Sequence, residues 1–357
     1  MNVLHVVHAD VWGGGETAAL SMCKALKKNG ENVYVVVSGN IDMLQEKFRH
    51  IGNVTAVHIS WGRVITCLRE IRRIVVDNKI DIIHTHTGKV IPFVLLANWN
   101  LKSKVIAYRH NALKNKKDII HKIIYKNLDA MVCVSNFVKK HQEIDMPKWL
   151  RDKLYVVNNG IEVNETVSDI SNCHNRFVVG YAGRIEENKG LLYLAKALVY
   201  LDNREVVLII AGDDNTEYAG RVKMYFQEKN FENNVHWLGY IPDMNNFYKQ
   251  IDLLVAPSVV PEAFGLSICE AMYHGKPVIT SNNGAQDEII DDGVEGFLLQ
   301  PGDEKGIAEK IMALNHNHNK CVIMGEKARE KIKKQFTMDC WLKEMLKVYN
   351  KVMLDKR

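Results

Sequence analysis

Leu253-Leu254-Val255-Ala256-Pro257-Ser258-Val259-Val260-Pro261-Glu262-Ala263-Phe264-Gly265-Leu266-Ser267-Ile268-Cys269-Glu270-Ala271-Met272 reads as three pieces in succession. The apolar run ending at Ala256 has the length and composition of a strand buried on both faces. A loop punctuated by Pro257, Pro261 and Gly265 follows, and from Leu266 the sequence is helical. Strand, loop and helix make the first half of a β-α-β unit, in which the next strand runs parallel. Glu262 falls in the loop, and Glu270 about one turn into the helix. The first amides of that helix point at the loop mouth, where an anion is favoured.

The same alternation extends outward in both directions. Strands are expected at Val3–Val7, Val33–Val37, Ile80–His84, Val105–Tyr108, Ala130–Val134 and Leu154–Val157, with helices between them such as Glu16–Lys28 and Val64–Asn78. After a polar stretch at Asn164–Asn175 the pattern restarts, with strands at Phe177–Tyr181, Val206–Ala211, Val235–Leu238, Leu253–Ala256 and Pro277–Thr280. This predicts an α/β protein of two Rossmann-like domains, residues 1–165 and 175–337, facing across a cleft lined by the carboxyl ends of their strands. A last helix, about Asp339–Leu354, is placed to pack back on the first domain.

A chain of 357 residues suits two such domains, and its 47% apolar and 25% charged residues are those of a soluble globular protein. Met1–His8 is too short and polar for a signal peptide, and no apolar run approaches the roughly 18 to 20 residues that span a bilayer. The seven cysteines are scattered without a C-x-x-C pair, so they read as small buried hydrophobes in a reducing cytoplasm. Charge is uneven. Residues 1–165 hold 24 Lys/Arg against 15 Asp/Glu, an excess of +9, and the remainder holds 23 against 27, or −4. The first half is thus suited to something anionic. Its densest basic stretch, Lys114, Lys116, Lys117, Lys122 and Lys126, alternates with Ile119, Ile120, Ile123 and Ile124. That is the pattern of an amphipathic helix at an anionic membrane surface, or of a solvated helix face. Nucleic acid is disfavoured, because no aromatic platform or reading motif accompanies the charge.

Two further clusters fall at strand ends. Gly13-Gly14-Gly15-Glu16 opens a helix, letting backbone and amides approach a phosphate. It also satisfies G-x-G-x-x-A through Gly13, Gly15 and Ala18. Against a nicotinamide site, Ala9-Asp10-Val11-Trp12 separates strand from glycines, and the second strand ends Val37-Ser38-Gly39 without a ribose-binding acid. Gly183-Arg184-Ile185-Glu186-Glu187-Asn188-Lys189-Gly190 places two cations five residues apart on a loop bounded by glycines. Such cations stabilise a departing diphosphate more in the transition state than in the ground state. No metal is expected: Asp213-Asp214 has the wrong spacing for a D-x-D site, and the histidines of Asp81-Ile82-Ile83-His84-Thr85-His86-Thr87 lack an acidic partner. No cofactor is expected either.

Glu262 and Glu270 form an E-x7-E motif that, with its flanks, resembles the family-4 retaining glycosyltransferases of GT-B fold. The likeness runs along nearly the whole chain. Gly13–Glu16 is similar to the G-G-A-E loop, with Gly15 for alanine; Arg184 and Lys189 match the R-x4-K diphosphate pair. Val157-Asn158-Asn159-Gly160-Ile161 resembles the V-x-N-G-V segment between domains, and Gly239-Tyr240 the segment near the base. Two departures stand out: Asp214 replaces the glycine ending A-G-D-G, and Asn283-Gly284-Ala285-Gln286-Asp287-Glu288 departs from the G-G-x-x-E form in its glycines while Glu288 remains.

The resemblance implies a catalytic set of His110, Glu262, Arg184 and Lys189, with His110 contacting the donor sugar. It implies donor contacts from Gly14, Gly15, Arg184, Lys189, Tyr240, Phe264, Gly265, Leu266, Ser267 and Glu270, and an acceptor side near Glu16, His84 and His86. The activity implied is retaining transfer of a hexosyl group from a nucleotide diphosphate sugar, UDP-sugar favoured over GDP-sugar, to a glycan or lipid-linked acceptor. The setting would be cell-envelope polysaccharide or lipopolysaccharide assembly, in the cytoplasm or peripherally on the cytoplasmic face of the membrane. Attack on the face from which the diphosphate leaves would retain configuration. A GT-B epimerase is the alternative, but it needs a proton-abstracting base and none stands out. A non-catalytic membrane-associated assembly subunit would not need intact Arg184, Lys189, Glu262 and Glu270.

Overall fold

The computed structural model describes residues 1–113, 118–144, 146–163, 176–201 and 205–355. Lys114, Lys116 and Lys117 of the basic stretch and the linker 164–175 lie outside the described residues. The chain forms two compact units, Met1–Glu162 with Thr337–Arg357, and Val163–Phe336.

The first unit is built on a parallel sheet of seven described strands: β1 (Asn2–Ala9), β2 (Asn32–Gly39), β3 (Asn53–Ala56), β4 (Ile82–Thr85), β5 (Lys104–Arg109), β6 (Ala130–Cys133) and β7 (Leu154–Val156). Their order is β3-β2-β1-β4-β5-β6-β7. The central strands are continuous apolar runs because helices cover both faces. β3 was not expected. It is a four-residue, largely exposed edge strand whose Asn-Val-Thr-Ala sequence carries no burial signal. The helix Met338–Leu354 packs on Gly14–Lys28 in this unit. It enters through a hydrogen bond from the Met338 amide to the Ile161 carbonyl, 3.0 Å. Its Trp341, Met345 and Tyr349 are buried, and Trp341 Nε1 donates to the Tyr108 hydroxyl at 3.2 Å.

The second unit has six described parallel strands: β8 (Phe177–Ala182), β9 (Val206–Ala211), β10 (Val235–Trp237), β11 (Leu253–Ala256), β12 (Val278–Ser281) and β13 (Gly296–Leu299), in the order β10-β9-β8-β11-β12-β13. β13, a short edge strand opening on glycine, was also not expected. In each unit the strand order reverses beside the first strand, between β1 and β4 and between β8 and β11. Chain leaving these neighbouring carboxyl ends diverges and opens a crevice, the usual ligand position in open parallel sheets. The GT-B expectation of two doubly wound α/β domains therefore holds.

Candidate active site

In the second unit the loops after β8 and β11 are pressed together. The turn Glu187–Lys189 closes on Gly190, whose φ of +74° is left-handed and whose added Cβ would lie 2.0 Å from the Pro257 carbonyl oxygen. Two hydrogen bonds fasten the contact: the Val259 amide to the Asn188 carbonyl at 3.0 Å, and Ser258 Oγ to the same oxygen at 3.2 Å. Lys189 Nζ thereby meets Glu262 Oε1 in a half-buried ion pair.

The Glu262 main chain is fixed from the other side by Gly284, where a Cβ would come within 2.3 Å of the Glu262 oxygen and 2.5 Å of its nitrogen. The Ala285 amide donates to the same oxygen at 2.9 Å. Asn283 adds a brace: its Nδ2 donates to the Ser258 carbonyl at 3.1 Å. Arg184 does not converge with Lys189. Its Nη1 donates to Glu186 Oε1 at 2.8 Å on the same loop, and its side chain is 58% exposed.

The helix Leu266–Tyr273 starts after Gly265 and carries Leu266 and Ser267, both half-buried, in its first turn. Phe264 is buried edge-on against Phe336, 5.9 Å between centroids, so its side chain belongs to the core. Burial pushes the Glu270 carboxyl up from its ordinary range, opposed by the hydrogen bond that the Tyr248 hydroxyl donates to Oε2 at 2.7 Å. Tyr248 in turn stacks on His274. Tyr240, 61% exposed, follows Gly239, whose carbonyl accepts from the Gly212 amide at 2.9 Å. Asp214 is turned into an ion pair with Lys223 at 2.6 Å.

In the first unit the helix Gly14–Lys28 begins after Gly13, with Glu16 in its first turn favoured by the helix dipole. Gly15 faces His110: an added Cβ would sit 3.5 Å from His110 Cγ. His110, just past β5, is half-buried and heads a row of imidazoles. His86 Nδ1 lies 3.0 Å from His110 Nε2, and His86 Nε2 lies 2.9 Å from His5 Nδ1. His84 is set apart, its Nδ1 3.1 Å from the Tyr349 hydroxyl. Burial lowers all four pKa values, His5 to about 3, His110 to about 4, and His84 and His86 well below the ordinary value.

His84 and His86, expected on the acceptor side, are buried, at 0% and 6% exposure. The two-residue period of a central strand sends both to one face, and there Tyr349 of the C-terminal helix meets His84. The sequence reading overlooked His5. A polar residue within Val3–Val7, paired in register with His84, was the available signal. Ligand atoms of His5, His84 and His86 lie within 4.8 Å of one another, the spacing of a metal triad. Yet both His86 nitrogens are engaged by neighbouring rings, and no carboxylate joins the group among the described residues.

The family model "Glycosyltransferase Family 4" matches residues 12–165, and the model "Glycosyl transferases group 1" matches residues 164–331. The chain is 28% identical over 242 residues to the capsular polysaccharide biosynthesis glycosyltransferase CapM of Staphylococcus aureus, covering 62% of this chain and 63% of that protein. It is 25% identical over 305 residues to the Escherichia coli UDP-Gal:alpha-D-GlcNAc-diphosphoundecaprenol alpha-1,3-galactosyltransferase, covering 79% of this chain and 78% of that one. Among solved structures, Anabaena HepE in complex with UDP and glucose superposes with a TM-score of 0.82 at 20% identity, over 98% of this chain and 99% of that one.

Proposed function

From the premise that this chain is a GT-B glycosyltransferase, a Glycosyltransferase Family 4 domain followed by a Glycosyl transferases group 1 domain, we propose that it transfers a hexosyl group with retention from a UDP-sugar to a glycan or lipid-linked glycan in envelope polysaccharide assembly. The observation that carries this reading is the Lys189–Glu262 pair, held at the carboxyl ends of β8 and β11. A diphosphate, more highly charged than one carboxylate, draws Lys189 away, and Glu262 is then released toward the sugar. As the anomeric C–O bond breaks, charge grows on the leaving phosphate, where Lys189 and a reoriented Arg184 stabilise it. Glu262 faces the positive charge developing at the anomeric carbon. The acceptor oxygen forms its bond on the face the diphosphate leaves, and its proton passes to the departing phosphate oxygen. His110 contacts the donor sugar, and Glu270 the ribose.

The choice of UDP follows the donor named for the Escherichia coli relative, and the choice of acceptor class follows that relative and the capsular one. Isothermal titration with UDP- and GDP-sugars, paired with turnover measurements, tests the reading. Lys189→Ala and Arg184→Ala are each expected to lose on the order of 10²-fold in turnover, the scale of removing a preorganised donor. Near-wild-type activity in both removes the diphosphate assignment. Because the protein supplies the cations, activity is expected to persist in a chelator.

The proposal extends to an anionic bilayer as the surface where lipid-linked acceptors are met. Its support lies in the first unit: Trp99, Leu113, Ile119, Ile120 and Ile123 are all more than half exposed. Ile119, Ile120 and Ile123 share the helix Ile119–Asn127 with exposed Lys122 and Lys126, and that helix packs beside Ile91–Ala97.

A further inference from the structure

The register of the first sheet brings three strand ends level. Val6 of β1 is opposite Thr85 of β4, and Thr85 is opposite Ala107 of β5. Two residues further along, His8, Thr87 and Arg109 share the carboxyl edge, beside the point where the strand order reverses. Gly88 and Lys89 follow Thr87 at once, and both are exposed.

Charge at this edge is sorted by side. Arg109, half-buried, lays its guanidinium on the turn after β4: a Cβ added to Gly88 would sit 3.5 Å from Arg109 Nη1. Lys89 is the next residue, so the two cations flank one exposed glycine. Burial lowers the His8 pKa at the end of β1, and the Lys89 ammonium lowers it further, against the Asp10 carboxylate. The acids near this edge turn elsewhere. Asp10 Oδ1 would lie 3.0 Å from a Cβ on Gly39, at the end of β2 and across β1 from β4. Glu16 Oε2 would lie 3.3 Å from a Cβ on Gly13, at the start of its own helix. The side formed by β4 and β5 is therefore cationic, and its glycine leaves room for a group as broad as a phosphate.

We propose that Arg109 and Lys89, over Gly88, form an acceptor-phosphate subsite in the first unit, holding the phosphate or diphosphate that joins a sugar to its lipid. Arg109 offers a planar fork to two phosphate oxygens, and its five N–H donors serve more than one partner; Lys89 offers a point charge. The +9 excess of residues 1–165 draws such an anion toward this unit. The inference rests on the acceptor class already proposed and narrows it to acceptors that bear phosphate, but the subsite can be tested without turnover.

The experiment is isothermal titration of pyrophosphate into the full chain, with UDP in excess to fill the donor's diphosphate site. One further site is expected. Lys89→Gln and Arg109→Gln should each weaken it about tenfold or more, the scale of losing a charge-assisted hydrogen bond, and leave the affinity for UDP within about twofold. Lys89 is exposed, so its replacement leaves the core undisturbed. Gly88→Val should weaken the site too, by filling its floor, whereas Lys28→Gln, at the last residue of the helix Gly14–Lys28, should not. Geranyl diphosphate should follow the same pattern, because an acceptor phosphate is esterified. No further site, or one unmoved by Lys89→Gln and Arg109→Gln, overturns the proposal. A site that takes pyrophosphate and refuses the ester is one for free anions, and overturns the acceptor role. Unchanged pyrophosphate affinity with weakened flotation on anionic vesicles assigns the two cations to the bilayer instead, and overturns it as well. If UDP itself does not bind, the donor reading fails, and the same titration of the Arg184→Ala, Lys189→Ala double variant still decides on the first-unit site.

Discussion

Two glutamates of one motif differ most sharply in their neighbours. Glu262 is drawn to Lys189 and anchored through its main chain, whereas Glu270 is held by a tyrosine under burial that raises its pKa. On the proposed reading Glu270 grips the ribose in substrate and transition state alike, so its loss would remove uniform binding. Glu270→Gln is expected to raise KM more than it lowers kcat, and Tyr248→Phe, which removes the hydroxyl that orients the carboxyl, to act in the same sense with smaller size. Glu262→Gln keeps shape but not charge, so kcat falls most there. Steady-state kinetics on folded variants check the division, and a kcat defect confined to Glu270→Gln reverses it. The eight-residue step between the glutamates was legible in the sequence because it lies within one strand-loop-helix unit. Tyr248 was not, because it comes from a separate helix, Asn245–Gln250, and only folding places its hydroxyl on Glu270. His5 escaped for a similar reason: its meaning depends on the register of β1 with β4.

At the level of elements, the strand-end loops depend on close backbone approach more than on side chains. Gly284 touches the Glu262 main chain from the loop after β12, and any Cβ there must displace one of the two. Gly284→Ala is therefore expected to cost about 1–3 kcal/mol of stability as overpacking does, and to cut turnover beyond that loss by moving Glu262. Urea unfolding and kcat measured together test this, and wild-type values in both would show that the loop is free to yield. The sequence marked Gly284 only as part of the segment Asn283–Glu288. In the fold Asn283 ties the loops after β11 and β12 together with a side-chain bond. The alternation of apolar runs and helices made both parallel sheets legible. Only β3 and β13 were missed, since an edge strand is paired on one side and needs no continuous apolar run. The burial of His84 was equally hidden, because Tyr349, which meets it, lies 265 positions along the chain.

For the molecule as a whole, charge and exposed apolar area fall in the same unit. Residues 1–165 carry the +9 excess, and the exposed Ile119, Ile120 and Ile123 stand beside exposed Lys122 and Lys126 on one short helix. Among the described residues no helix is long and apolar enough to cross a membrane, so attachment of this helix would be interfacial. Trp61 adds to the apolar surface, 66% exposed and resting on Phe93 of the helix Ile91–Ala97. Aromatic and apolar side chains beside lysines are the composition of an interfacial anchor. Each basic residue near an anionic surface contributes roughly 1 kcal/mol, and each isoleucine removed from water about 1.5–3 kcal/mol. The two contributions respond differently to salt, since only the first is screened. Flotation with phosphatidylcholine vesicles, with and without phosphatidylglycerol, is expected to show binding to the anionic vesicles that falls as salt rises. Paired Lys122→Glu and Lys126→Glu should abolish the preference for anionic lipid. Ile120→Asp and Ile123→Asp should weaken binding even at low salt, because the lysines alone lack an apolar foothold. Equal binding to neutral and anionic vesicles, or none to either, would show that the helix is a solvated face and that the lipid-linked acceptor is met without it.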